Sequence, residues 1–252
     1  MKLSIISFNI RFCNDDNGNA ISQRAPRLGI VTKPYAADVI GLQEYRPAWG
    51  PHIRKLYGEE YDMFLQYRSQ TDDREATPIL WRRDKFDCVK TGYFWLSDTP
   101  EIVSRGWDEL FNCYRMCVYA ILKHKETGKT FTFMNTHFGF GDKGQVDSAK
   151  LIYQYSKIIS AGPLFIVGDF NMTPDTPGYR AMTEHFLDVN ACTAQDLTTT
   201  FHGYDPESIN DQHIDYCFID KTIIPIRHKL ITETVDGKFP SDHYGLYIEL
   251  EL

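Results

Sequence analysis

LFIVGDFN, running from Leu164 to Asn171, starts as an apolar strand and ends on two polar side chains, Asp169 and Asn171. Four consecutive large apolar residues are the mark of a strand buried on both faces. A core strand that ends on a carboxylate and a carboxamide delivers both to the rim of a sheet. Alternation along a strand puts positions i and i+2 on one side, which predicts that Asp169 and Asn171 aim at the same place.

The same arrangement recurs along the chain. SIISFN ends in Asn9, DVIGLQE in Glu44 and FTFMNTH in His137. Two strands are written in reverse: Asp215 precedes YCFI, and Asp242-His243 precedes YGLYIELEL. For all these polar groups to meet at one rim, the second set must run antiparallel to the first. A mixed sheet, or two sheets packed face to face, satisfies this. Strand-like runs are expected at 2–9, 38–44, 77–81, 114–122, 130–136, 164–169, 214–219 and 244–252. Helical spacing of Val146, Ala149, Ile152, Tyr155, Ile158 and Ile159 predicts a helix over 145–159. Pro177 sits where a first helical turn tolerates it, predicting a short helix over 177–186. Many strands interleaved with helices indicate an α/β or α+β layered fold. With no repeat, low-complexity segment or Gly/Ser/Pro-rich linker, residues 1–252 read as one catalytic domain.

Composition narrows the function classes. The chain has 252 residues, 42% hydrophobic, 24% charged and 14% aromatic, which is a globular composition with ample core. A net charge of −7 disfavours a tight polyanion binder. It leaves open an enzyme that meets phosphate through a metal ion, because the ion supplies its own positive charge. The six cysteines form no CxxC pair, so zinc-ribbon spacing is absent and they read as small hydrophobes of a reduced protein. MKLSIISFNI carries one Lys and too short an apolar run for a signal peptide. No run approaches membrane-spanning length. The expected location is cytoplasmic, with a secreted or periplasmic one open should a signal peptide have been removed.

Asn9, Glu44, Asp169, Asn171 and Asp242 offer oxygen donors, the ligand type of Mg²⁺ or Mn²⁺ rather than of zinc. His243 beside Asp242, with Asp215 on a neighbouring strand, is a histidine that a carboxylate would orient. Arg115 opens RMCVYAIL and would clamp a phosphate oxygen if it lies on the site rim. Covalent acyl motifs, GxGxxG and the P-loop are absent. What remains suits attack of a metal-assisted water on a phosphate ester.

In order, SFN (Ser7 to Asn9), LQE (Leu42 to Glu44), NTH (Asn135 to His137), GDFN (Gly168 to Asn171), IDY (Ile214 to Tyr216) and SDH (Ser241 to His243) resemble the motif series of the endonuclease/exonuclease/phosphatase superfamily. The superfamily includes pancreatic deoxyribonuclease, neutral sphingomyelinases and poly(A) deadenylases. The resemblance implies a four-layer α/β sandwich of two packed mixed sheets flanked by helices. It also implies a divalent-metal phosphoesterase using Mg²⁺ or Mn²⁺. By position in the motifs, Glu44 resembles the principal metal ligand, with Asn9 and Asp242 assisting. Asp169 resembles the residue that orients or deprotonates the attacking water, and Asn171 the one that holds the phosphate. His243, oriented by Asp215, would stabilise charge on the scissile phosphate. His137 resembles the second histidine of the deoxyribonuclease and sphingomyelinase branches, and Glu75, ahead of ATPILWRR, aligns with its acidic partner. Arg115 resembles a phosphate-binding arginine.

The substrate stays open among a small phosphodiester or phosphomonoester, a single-stranded or RNA 3′ end as in a deadenylase-like exonuclease, and a DNase-like endonuclease target. No obligate protein partner is evident. A non-catalytic binding module on the same scaffold is disfavoured, because the motif residues are all present. A sphingomyelinase reading would call for an exposed apolar hairpin, and the sequence offers none that stands out.

Overall fold

The computed structural model describes residues 1–71, 74–193, 199–207, 209 and 211–252. In chain order it places β1 (Lys2–Asn9), α1 (Ile21–Thr32), β2 (Val39–Gln43), α2 (Gly50–Tyr57), β3 (Tyr61–Phe64), β4 (Ile79–Arg82), β5 (Phe86–Trp95) and β6 (Met116–His124). There follow β7 (Thr130–His137), α3 (Asp142–Ile159), β8 (Leu164–Asp169), α4 (Pro177–Thr183), β9 (Leu187–Asp188), α5 (Val189–Cys192), β10 (Asp215–Ile219), β11 (Ile224–Ile231) and β12 (Gly245–Glu251).

The strands form two six-stranded mixed sheets, ordered β11-β12-β1-β2-β4-β3 and β5-β6-β7-β8-β10-β9. Each sheet has one parallel pair at its centre, β1 with β2 and β7 with β8, and antiparallel strands outside. Strand alternation builds the layers. On β1, Leu3 and Ile5 face the second sheet, while Ile6 and Phe8 face α1 and α2. On β8, Phe165 and Val167 face the first sheet, and Leu164 and Ile166 face α3 and α4. The result is the expected four-layer sandwich. Phe131, Phe133 and Phe165 are fully buried between the sheets, each contributing roughly 1.5–3 kcal/mol of transfer free energy.

Both sheets therefore leave their central strands to end at one rim. β1, β2, β7 and β8 run toward it, whereas β10 and β12 run antiparallel to their neighbours and begin there. This is the antiparallel relation that the reversed motifs require. Gly168 lets β8 lie close to β7 just before the rim, since a Cβ there would come within 2.3 Å of the Thr136 carbonyl oxygen.

Some boundaries differ from expectation. α3 starts at Asp142, ahead of the apolar spacing that marked it, and α4 stops at Thr183. β4 and β6 extend further toward their C-terminal ends than the apolar runs alone indicated. All six cysteines are unpaired, and the small-hydrophobe reading holds for Cys117 and Cys217, while Cys88 and Cys192 are exposed. Among the described residues, no helix is long and apolar enough to cross a membrane.

Candidate active site

Strand register places the polar residues side by side. On the second sheet, His137 of β7 and Asp215 of β10 are both direct cross-strand partners of Asp169 on β8. On the first, Asn9 ends β1 opposite Gln43, and Glu44 follows immediately. Asp242 and His243 lie just before β12. Glu44 and Asn171 both adopt left-handed backbone conformations, with φ of 59° and 50°. Such strain in non-glycine residues persists only where the surroundings enforce it. It also revises the argument from alternation: β8 ends at Asp169, and Phe170 is fully buried in the core. Asn171 reaches the rim because the chain turns there.

Asn9 joins the two sheets' carboxylates. Its amide nitrogen donates to Glu44 Oε1 at 3.1 Å and to Asp169 Oδ2 at 2.9 Å, while its oxygen accepts from the Arg11 backbone N–H. So placed, Asn9 orients two carboxylates, and ligation through its oxygen requires the amide to turn. The second Glu44 oxygen accepts from the Phe12 N–H at 2.8 Å. Asp169 Oδ1 accepts from the Asn171 N–H at 3.0 Å. Asn171 itself donates its side-chain amide to the Phe138 carbonyl.

Two histidines flank Asp169. His243 Nδ1 lies 2.9 Å from Asp215 Oδ2, and its Nε2 is 3.8 Å from Asp169 Oδ2. Burial works against charge on this ring, but the Asp215, Asp169 and Asp242 carboxylates outweigh it and push it up to about 10. His137 Nε2 is 3.5 Å from Asp169 Oδ2, and its Nδ1 is 3.3 Å from Glu75 Oε1. Burial and the neighbouring Arg115 push His137 down to about 4, so that it is neutral. Glu75 is bound by Arg68 Nη1 at 2.7 Å. Its burial would raise it, yet Arg68 and His137 prevail and hold it at about 2. Asp169 is pushed up to about 7 by burial and by the charge of Asp215.

Asn171, Arg115, His137, His243, Glu75, Glu44 and Asp242 open with Asp169 onto one cleft of about 750 Å³, while Asn9 and Asp215 sit behind its wall. Every site residue expected from the sequence is thus within this rim. The cleft also holds residues that sequence reasoning missed. Arg11, Arg46, Arg68 and Arg105 join Arg115, and Phe12, Phe111 and Phe201 line the walls. Arg11 and Phe12 directly extend the SFN strand, and that adjacency was a usable signal. Arg68 reaches Glu75 Oε1 at 2.7 Å, and nothing in the sequence marked it. Phe140 also faces the cleft, whereas Phe138 and Phe170 are core.

The donor set fits a hard divalent cation. Glu44 is raised above the usual carboxylate range by burial and by the nearby Glu75 and Asp242 charges. Glu44, His137 and Asp169 can bring ligand atoms within 4.8 Å of one another. Acids crowded in this way are stabilised together by a cation. Arg11 Nε, 3.4 Å from Asp242 Oδ2, supplies part of that positive charge.

The sandwich and its acid–histidine rim define a class. The sequence pattern of the Endonuclease/Exonuclease/phosphatase family matches residues 6–243, and the chain belongs to that family. Its fold superposes on an endonuclease/exonuclease/phosphatase family protein from Bacteroides thetaiotaomicron with a TM-score of 0.91 at 30% identity, covering 100% of this chain and 99% of that one. It also superposes on the mannosyl-6-phosphatase Bt3783 of the same organism, with a TM-score of 0.88 at 30% identity, covering 99% and 100%. Zebrafish (D. rerio) TDP2 bound to a single-stranded DNA product shares the fold, with a TM-score of 0.77 at 20% identity over 100% of this chain and 99% of that one. Uncharacterized protein R895 of Acanthamoeba polyphaga mimivirus is 25% identical over 72% of this chain; the match spans 31% of the viral protein's length.

Proposed function

We propose that the protein is a divalent-metal-dependent phosphoesterase that hydrolyses small phosphomonoesters by direct attack of water. The observation that carries this reading is the unbroken chain Asp215–His243–Asp169–Asn9–Glu44, four buried contacts that join both sheets at the cleft floor. Glu44 and Asp242 would hold Mg²⁺ or Mn²⁺, with Asn9 assisting by orienting Glu44. When bound, the ion would polarise the phosphoryl group and offset its negative charge.

The remaining chemistry belongs to the chain. Asp169, raised to about 7, is suited to take a proton from water near neutral pH. Asn9 and the Asn171 N–H fix its two oxygens, so the water it holds has one orientation. His243 donates Nδ1–H to Asp215 and keeps a second proton on Nε2, which faces the cleft and stabilises charge on the phosphate. Neutral His137 supports Asp169 from the other side. Arg115 engages only Nε with protein among the described residues. Its two terminal nitrogens remain for phosphate oxygens, beside Asn171. Attack of the water on phosphorus itself displaces the product alcohol in one step.

A monoester is favoured over a duplex nucleic acid by the cleft itself. It is concave, of small-molecule size, and concentrates five arginines in a chain of net charge −7. The 30% identical mannosyl-6-phosphatase supports a sugar phosphate as the first candidate. The cleft aromatics support a second reading, hydrolysis at a single-stranded nucleic-acid end by base stacking. A panel of hexose phosphates, nucleoside monophosphates, RNA, DNA and a chromogenic diester, each with Mg²⁺, Mn²⁺ or EDTA, separates them. Metal-dependent release of phosphate from hexose phosphates supports the first reading. Shortening of RNA or DNA with hexose phosphates untouched overturns it.

A further inference from the structure

The segment between β5 and β6 carries four strongly exposed apolar residues, Ile102, Val103, Leu110 and Phe111. Phe111 is 59% exposed and lines the catalytic cleft. Its ring packs edge-on against Phe140 with centroids 5.3 Å apart. Solvent-facing aromatics beside a polar cleft call for an apolar partner.

One buried carboxylate organises this wall. Asp108 Oδ1 accepts from the backbone N–H groups of Leu110 at 3.1 Å and Phe111 at 2.9 Å, folding the tip of the segment. Asp108 Oδ2 accepts from Arg115 Nε at 3.0 Å, and the Asp108 side chain has no solvent exposure. The tip is seated on the segment that follows β7. Glu109 N donates to the Phe140 carbonyl, Glu109 Oε1 accepts from the Gly144 N–H, and a Cβ on Gly139 would come within 2.8 Å of Asp108. The wall is therefore a fixed part of the fold.

We propose that Asp108 is a positioning residue that couples phosphate recognition by Arg115 to a ring-binding wall of Phe111 and Phe140, which takes the organic part of the ester. The shared chemistry is a ring with an apolar face attached near a phosphoryl group, whether the C–H face of a hexose or an aryl plane. This rests on the phosphoesterase reading of the cleft and names what lies beyond the phosphate. Because both ends of the ligand depend on one carboxylate, removing it affects both, whereas trimming Phe111 affects only the ring.

Non-hydrolysable phosphonates test this by calorimetric binding to the Mg²⁺-loaded protein. The probes are methylphosphonate without a ring, phenylphosphonate with an aryl ring, and a hexose 6-phosphonate. The wild type is expected to bind at least one ring-bearing probe about fivefold tighter than methylphosphonate, and whichever shows the gain identifies the ring. Phe111→Ala removes that gain and leaves methylphosphonate binding unchanged. Asp108→Asn keeps the backbone acceptor but turns an N–H₂ toward Arg115, and it weakens all the probes about tenfold with the ring gain intact. Asp108→Ala loses both. Should Asp108→Ala fail to fold, Asp108→Asn and Phe111→Ala still decide the matter. A ring gain that survives Phe111→Ala, an Asp108→Asn protein that binds methylphosphonate as the wild type does, or a wild type that binds no probe overturns the proposal. Phosphonate binding as expected in a protein that hydrolyses no phosphate ester overturns the catalytic reading and leaves this inference standing.

Discussion

At the scale of single residues, burial and neighbouring charge assign different roles to otherwise similar groups. Asp169 and Asp215 are cross-strand partners, yet Asp215 is paired with His243 while Asp169 faces the cleft and is raised toward neutrality. Glu44 and Glu75 diverge in the same way, one raised by crowded acids and the other lowered by Arg68. Glu44→Ala should reduce hydrolysis to the rate seen with metal chelated, as measured by phosphate release with Mg²⁺; unchanged turnover would sink the metal assignment. His243→Ala should cost about a hundredfold or more in kcat with the fold retained, checked by kinetics alongside circular dichroism. A pH effect follows from the Asp215 contact. The carboxylates keep His243 protonated up to about 10. Asp215→Asn removes one of those charges, lowers the pH at which His243 loses its proton, and should move the basic limb of the kcat/KM profile to lower pH. A limb that stays in place would show that His243 does not govern it. Most of these residues were legible beforehand, because each sits at the end of a strand whose apolar run announces it. Arg68 and Asp108 were not, because their segments have no period and their partners, though only seven residues away, are fixed only by the local fold.

At the scale of elements, the parallel pairs at the two sheet centres hold the site, and a polar tether fixes one pair to the other. Asn135, two residues before His137 on β7, is fully buried. It accepts from Gln43 Nε2 at 2.7 Å and donates to the carbonyls of Leu42, Thr77 and Pro78. It thereby ties the second sheet to the residues adjoining Glu44 and to the segment just after Glu75. Asn135→Ala strands these buried groups and should cost about 2–3 kcal/mol, read from urea unfolding; a loss below about 0.5 kcal/mol would show that the tether is unimportant. The central strands were readable from sequence, and β1 and β8 have the expected bounds, because continuous burial writes continuous apolar runs. The edge elements were not. β5 is exposed along half of its length, and β11 contains Pro225 and a register shift, so neither carries a clean alternation. α1 contains Pro26 and buries Arg24, which breaks its helical pattern.

At the scale of the whole molecule, the two-sheet sandwich gathers positive side chains into one cleft of an otherwise acidic protein, which directs an anionic ester to the rim. Global stability should carry its own pH signature, remote from the cleft. His228 on β11 is 1% exposed, and neither ring nitrogen has a hydrogen-bond partner among the described residues. Burial pushes it down from 6.5 to about 3. Below pH 6.5 the unfolded chain takes up a proton that the folded chain refuses, so stability falls as pH falls through that range and is unaffected above it. By pH 5 the loss is about 2 kcal/mol. His228→Phe should spare the protein that loss, seen as a smaller drop in unfolding free energy between pH 7.5 and 5; equal drops in both proteins would contradict it. The order of the motifs made the sandwich legible, and Arg115 with it, whereas the cleft's four other arginines and its aromatics come from loops that only the folded chain brings together. The central claim is tested most directly by phosphate release from a hexose 6-phosphate by the purified protein. The account predicts turnover with Mg²⁺ that stops in EDTA, returns on adding Mg²⁺, and is absent in Glu44→Ala. Turnover indifferent to EDTA, or none from any phosphate ester with Mg²⁺ or Mn²⁺, would contradict it.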